Sequence, residues 1–364
     1  MAYTTIDDPS AHFHIQLYTG SGSSGNSITN DANAGDFKPD WLWIKPRSIT
    51  DNHVVFDSSR GQDRQLKPNG TDAEDTHSPA RITFETDGFD IDTTDQNYNN
   101  SGATYVAWQW KCNGGTTTSV SAGTVDSNST TACVRQVNTT AGFSIITYTA
   151  DADGETFLEH GLGTAPYWVI VKDRGNAESW QVGHLSNTGT ASFYNFLELD
   201  GNGASSANSN RWLNTAPTAN LINIGGGNSV GGNGRNYVLY AFSPRRGYSQ
   251  FGRYKGNGNA DGPFSYTGFA PRWLMVKNAS GSGHWKINDT ARDFNSTYGN
   301  DASLNADENV AEYTSASLNV DFLSNGFKIR SADGEINADG SIYVYMAFAE
   351  HPFVSSEGVP TTAV

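Results

Sequence analysis

The heptapeptide Pro39-Asp40-Trp41-Leu42-Trp43-Ile44-Lys45 returns as Pro166-Tyr167-Trp168-Val169-Ile170-Val171-Lys172 and again as Pro271-Arg272-Trp273-Leu274-Met275-Val276-Lys277. Pro suits the first residue of a strand, where its missing N–H breaks no ladder bond. The apolar run behind it is too short for a helix and reads as a strand buried on both faces, with the Lys ending it at the solvent edge. Ahead of each Pro stands a strand-like opening: Tyr18-Thr19-Gly20, Tyr148-Thr149-Ala150 and Tyr254-Lys255-Gly256. Behind each comes a closing segment entered through a Gly: Tyr105-Val106-Ala107-Trp108, Tyr237-Val238-Leu239-Tyr240 and Tyr343-Val344-Tyr345-Met346. One set of landmarks in one order, three times over, is the signature of internal repeats.

Inner landmarks support the same reading. Asp87-Gly88-Phe89-Asp90-Ile91 matches Asn325-Gly326-Phe327-Lys328-Ile329, and Asp-Gly and Asn-Gly are strong hairpin signals. The middle copy carries Asn220-Leu221-Ile222-Asn223-Ile224 there. Phe56-Asp57-Ser58-Ser59-Arg60 matches Asn288-Asp289-Thr290-Ala291-Arg292, whereas the middle copy has Gly183-His184. Short strands separated by such turns predict an all-β chain of three tandem antiparallel β-sandwich modules, jelly-roll or lectin-like. The expected layout is an N-terminal arm (1–13), module one (14–112), a Thr/Ser/Gly-rich linker (113–142), module two (143–244), module three (245–352) and a C-terminal tail (353–364). The short junction after 244 predicts close coupling of modules two and three, with module one set apart.

Composition agrees. Of 364 residues, 39 are Gly and 12% are aromatic, which excludes a disordered chain, while only 17% are charged. A net charge of −15 repels phosphate backbones, so no nucleic-acid partner is expected. No apolar run approaches the ~20 residues of a membrane-spanning helix, so no membrane insertion is expected. Met1 to Asp8 shows neither the basic start nor the apolar run of a signal peptide, which predicts synthesis in a cytoplasm and release by lysis. Cys112 and Cys133 bracket the expected linker, and the sequence leaves open whether they are bridged.

Catalytic chemistry finds little foothold. No P-loop, dinucleotide-binding or nucleophile-elbow motif is present, and no carboxylate recurs beside aromatics in all three copies. His12 and His14 flank Phe13 with no ligand framework beside them, and Asp87, Asp90, Asp92 and Asp95 read as a solvated turn. The expectation is a protein without enzymatic activity, cofactor or metal. Trp41, Trp168, Trp273, Tyr105, Tyr237 and Tyr343 recur at fixed repeat positions and read as structural core. Trp180, Trp212 and Trp285 do not recur and stand near Asn, Asp and Arg, the combination that stacks on sugar rings and bonds their hydroxyls. They are the candidate glycan-binding residues.

Taken as a set, Tyr18-Thr19-Gly20, Phe37-Lys38-Pro39-Asp40-Trp41-Leu42-Trp43-Ile44-Lys45, Asp57-Ser58-Ser59-Arg60-Gly61, Ser324-Asn325-Gly326-Phe327-Lys328-Ile329 and Tyr343-Val344-Tyr345-Met346-Ala347-Phe348-Ala349 resemble repeat-containing virion structural, tail-fibre-like proteins of tailed bacteriophages of aquatic bacteria. The resemblance spans nearly the whole chain. It implies a virion location, other tail or capsid proteins as partners, and contact with host cell-surface glycan. It also implies a homotrimer by analogy with tail fibres. A capsid decoration or head-fibre protein is the alternative it leaves open.

Overall fold

The structure, a computed structural model, describes residues 3–30, 37–150, 155–185, 193–292 and 302–360. The chain is all-β, with three large antiparallel sheets of six, eight and six strands and three small sheets of three, four and three. The first large sheet runs in the order Phe13–Thr19, Thr104–Trp110, Trp41–Pro46, Val54–Asp57, Gly61–Leu66, Asp75–Thr76. The third repeats it as Ser249–Lys255, Ile342–Pro352, Phe269–Asn278, Lys286–Asp289, Ala302–Asn305, Tyr313–Thr314. The second has the same core order (Phe143–Thr149, Asn236–Phe242, Trp168–Asp173, Gln181–His184, Asn195–Glu198, Ser206–Ala207), with two extra strands outside Phe143–Thr149.

Register makes the equivalence residue by residue. Trp41 faces Trp110 on one side and Asp57 on the other, Trp168 faces Phe242 and His184, and Trp273 faces Phe348 and Asp289. Tyr105, Tyr237 and Tyr343 each stack on the opening-strand Tyr, with centroids 5.0 to 5.1 Å apart. Each of their hydroxyls also donates to a backbone carbonyl, Gln96 O, Asn228 O and Gly334 O.

Side chains alternate across a strand, so each large sheet has two apolar faces. Leu42 and Ile44 pack with Phe89 and Ile91 of the first small sheet, and Leu274 and Val276 pack with Phe327 and Ile329 of the third. The opposite faces meet in one shared core. Trp41, Trp43, Trp108, Trp110, Trp168, Trp180, Trp273 and Trp285, eight of the nine Trp, lie in that single cluster with Phe143, Tyr240, Phe251 and Phe348. The three sheet pairs therefore have private cores on one side and a common core on the other.

Contacts between pairs close head to tail. Glu312 N donates to Arg47 O (2.8 Å), Glu74 N to Arg174 O (2.8 Å) and Ser205 N to Ala279 O (3.0 Å), which ties third to first, first to second and second to third. The first pair is thus as tightly engaged as the others, against the expectation that it stands apart. The Lys ending each Trp strand does not reach solvent either. Lys45, Lys172 and Lys277 are fully buried. Each donates to a carbonyl of the neighbouring pair: Asn309 O (3.3 Å), Thr71 O (3.0 Å) and Gly203 O (2.8 Å) respectively. Burial pushes their ammonium groups down, to about 7 for Lys45 and about 8 for the other two.

Segment 113–142 is not a linker. Thr118–Val120 and Cys133–Asn138 form the two extra strands of the second large sheet, and Gly123–Val125 and Asn128–Thr130 join its small sheet. One face of these strands packs Cys133, Val120 and Val137 against the second pair's core, while the buried residue of the other face is polar. Gln136 Nε2 donates to Ser58 Oγ and Ser59 Oγ of the first pair, both at 2.9 Å. Cys112 and Cys133 are both buried free thiols. The expected arm, of which 1–2 lie outside the described residues, is packed as well: Ile6 lies in the common core, and Thr4 donates to Arg246 O at 2.8 Å. In the tail, Ser356 N donates to Asp7 Oδ1 at 2.6 Å, while 361–364 lie outside the described residues.

Candidate functional site

The sequence-derived glycan candidates are enclosed. Trp180 is 1% exposed, and Trp212 and Trp285 are 0% exposed, so no sugar ring can stack on them. Trp180 and Trp285 turn out to recur, each standing just ahead of its fourth-strand segment as His53 does in the first pair. Trp180 Nε1 donates to Lys67 O (2.9 Å) and Trp285 Nε1 to Glu198 O (2.8 Å), while His53 Nε2 bonds Asn305 O (2.9 Å). All three tie one pair to the next. Trp212 fills the private core of the second pair, edge-on to Phe193 at 5.7 Å and over Gly183, where a Cβ would come within 3.0 Å of its ring.

The charged constellations are sealed too. Asp57 accepts from Arg60 Nε and, across the seam, from Tyr240 Oη at 2.7 Å. Asp289 accepts from Arg292 Nε and from Trp108 Nε1 at 3.0 Å. At the matching position His184 bonds the backbone of Tyr345, and burial pushes it down to about 3. The carboxylates, guanidiniums and ring here are beyond solvent's reach, and the arrangement is a clamp between pairs. Among the described residues, no group of three or more His, Cys, Asp or Glu is placed to hold a metal ion.

An exposed apolar cluster lies on the third small sheet. Among the described residues, five large hydrophobics are exposed, and Phe264 (45%), Tyr266 (55%) and Leu323 (36%) share one face of that sheet. Phe264 is opposite Lys328 and Tyr266 opposite Gly326, while Leu323 and Asp321 flank Gly326 and Lys328 from the far strand. Gly326 keeps the floor between Tyr266 and Leu323 low, since a Cβ there would lie 2.1 Å from Ser265 O and 3.0 Å from the Phe264 ring. Lys328 Nζ meets Asp261 at 2.8 Å and Arg330 Nε meets Asp321 at 2.5 Å, giving a rim of donors and acceptors without net charge. Tyr3 Oη lies 3.1 Å from Tyr266 Oη and donates to Gly268 O at 2.9 Å. Burial and Tyr266 raise the Tyr3 hydroxyl to about 12, so it stays protonated.

The first pair is an internal comparison. Its turn glycine, Gly88, approaches Ile28 O as Gly326 approaches Ser265 O, which places Ser27 and Thr29 where the third pair carries Phe264 and Tyr266. Both Ser27 and Thr29 are exposed. The framework is the same and the solvent side differs by two aromatic rings. Sequence reading missed this pair because Phe264-Ser265-Tyr266 is too short to show periodicity. Aligning Gly88 with Gly326 and counting along the paired strand would have found it.

This architecture defines an all-β protein of three fused sheet pairs with an aromatic surface on one of them. A family described as "Domain of unknown function (DUF7483)" matches residues 8–352, and the chain belongs to that family. No curated protein and no solved structure matches the chain.

Proposed function

We propose that this chain is a non-enzymatic structural protein of a tailed-phage virion, acting as a tail-fibre or tail-associated adhesin that contacts host-surface glycan. The observation that carries the binding role is the exposed Phe264/Tyr266 pair, standing where the equivalent sheet has Ser27 and Thr29. Aromatic faces stack on the CH side of pyranose rings, and the Lys328, Asp261, Asp321 and Arg330 rim offers partners to sugar hydroxyls. The aromatic patch is on the order of 300 Å², well below the ~800 Å² per partner of a stable protein interface, which favours a small ligand. A homotrimer would supply avidity to such weak single sites.

The test is adsorption. Recombinant protein should bind susceptible cells and block phage attachment in excess, and it should leave purified host polysaccharide uncleaved. A capsid-decoration role is the second reading. It is favoured by the closed head-to-tail ring of three sheet pairs, which matches the local threefold points of an icosahedral shell. Cryo-EM density for the chain on the capsid alone would overturn the adhesin role.

A further inference from the structure

We propose that the seam between the first and second sheet pairs is a binding cleft for an acidic saccharide, one bearing a uronate carboxylate, and this does not depend on the adhesin role. A cavity of about 380 Å³ lies at the seam and adjoins one of about 420 Å³ on the second pair, the two sharing Arg174 and Asn236. One wall is the strand pair Thr118–Val120 and Cys133–Asn138. In the other two pairs the strands Phe13–Thr19 and Ser249–Lys255 are the sheet edges, so their seams have no such wall.

The cleft floor is rich in donors. Arg174 gives Nε and Nη2 to Glu74, which leaves Nη1 for a ligand. Arg64 gives Nη1 to Glu74 and Thr76, with Nε 3.4 Å from Asp63, and has Nη2 remaining. Asn236 accepts from Thr149 at 2.7 Å through Oδ1, and its Nδ2 is a third donor. Glu74 is shared by Arg60, Arg64 and Arg174 and is 5% exposed, whereas Arg64 is 37% and Arg174 22% exposed. Glu74 also lines the second cavity, but with so little of its side chain exposed it presents less to solvent there than Arg64 and Arg174 do. Guanidinium forks match a planar carboxylate. The hydroxyls of Ser119 and Thr147 beside apolar Val134 suit the alternating OH and CH edges of a sugar ring.

Isothermal titration of the full chain with an oligogalacturonate, against a neutral oligosaccharide of equal length, tests this. The expected result is saturable binding of the acidic sugar, weakened by salt and at least tenfold weaker in both Ser119→Trp, which fills the cleft, and Arg64→Met, which removes a cation. Ser119 is exposed and Arg64 partly so, so both variants should melt with the parent. Absence of saturable binding, equal binding of the neutral sugar, or unchanged affinity in both variants would overturn the site. Tighter binding of an oligoaspartate peptide would overturn the saccharide assignment.

Discussion

Tyr240 of the second sheet pair donates its hydroxyl to Asp57 of the first at 2.7 Å, in a place where both side chains and Arg60 are cut off from water. The bond crosses the seam at the level of the shared aromatic core, with Tyr240 stacked on Trp41 at 4.9 Å. Packing and ionic order are thus imposed by the same contact. Removing only the hydroxyl, by Tyr240→Phe, should cost about 1 to 2 kcal/mol. Asp57→Ala leaves the buried Arg60 guanidinium with Glu74 as its remaining counter-ion and should cost more, about 3 kcal/mol. Urea midpoints measure both, and equal costs would mean that Glu74 alone compensates Arg60.

A core built from all three pairs should melt as one. Calorimetry is expected to show a single transition whose van't Hoff and calorimetric enthalpies agree. Trp168→Ala should lower that whole transition, costing about 3 to 5 kcal/mol, as large core truncations do. Two or three separate transitions would mean that the private cores hold without the common one.

Burial pushes His160 down to about 4 and His184 to about 3. The unfolded chain takes up protons at these rings near pH 6.5, and the folded chain does so only well below that. Their contribution is therefore intact above pH 6.5 and is lost as pH falls toward 4, by about 1.4 kcal/mol per pH unit for each ring. Melting temperature recorded from pH 7 to 4 should fall accordingly, and His184→Gln should flatten the slope. An unchanged slope would place the proton uptake elsewhere.

Local patterns and long-range contacts were unequally legible in the sequence. Pro-x-Trp and Gly-Phe-x-Ile place strands because their information is local: a fixed φ, a turn glycine, an apolar run. The fate of Lys45 is not wholly local. Two of its acceptors, Pro46 O and Asp51 O, are close in sequence, but the third, Asn309 O, is brought near only by ring closure. Gln136 hid a strand for the same reason, since its inward side bonds Ser58 and Ser59 rather than packing against apolar groups. Trp180 and Trp285 looked unrepeated because their counterpart in the first pair is His53, a different residue holding the same kind of seam bond. The exposed aromatic pair was hidden in a three-residue strand.

That pair gives the sharpest test of binding, because the chain contains its own control. Exchanging Phe264→Ser and Tyr266→Thr installs what the first sheet pair already carries at Ser27 and Thr29, on a framework with the same glycine approach to the backbone. Surface exchanges of this kind usually change stability by no more than about 0.5 kcal/mol, so the melting transition should stay in place. A stacked ring contributes about 0.5 to 1.5 kcal/mol, so losing two should weaken binding to susceptible cells by roughly five- to 150-fold. Cell binding by flow cytometry, with the oligogalacturonate titration run in parallel, separates this face from the seam cleft: the double variant should lose the first and keep the second. Full cell binding by the double variant would remove the aromatic face from the adhesin role.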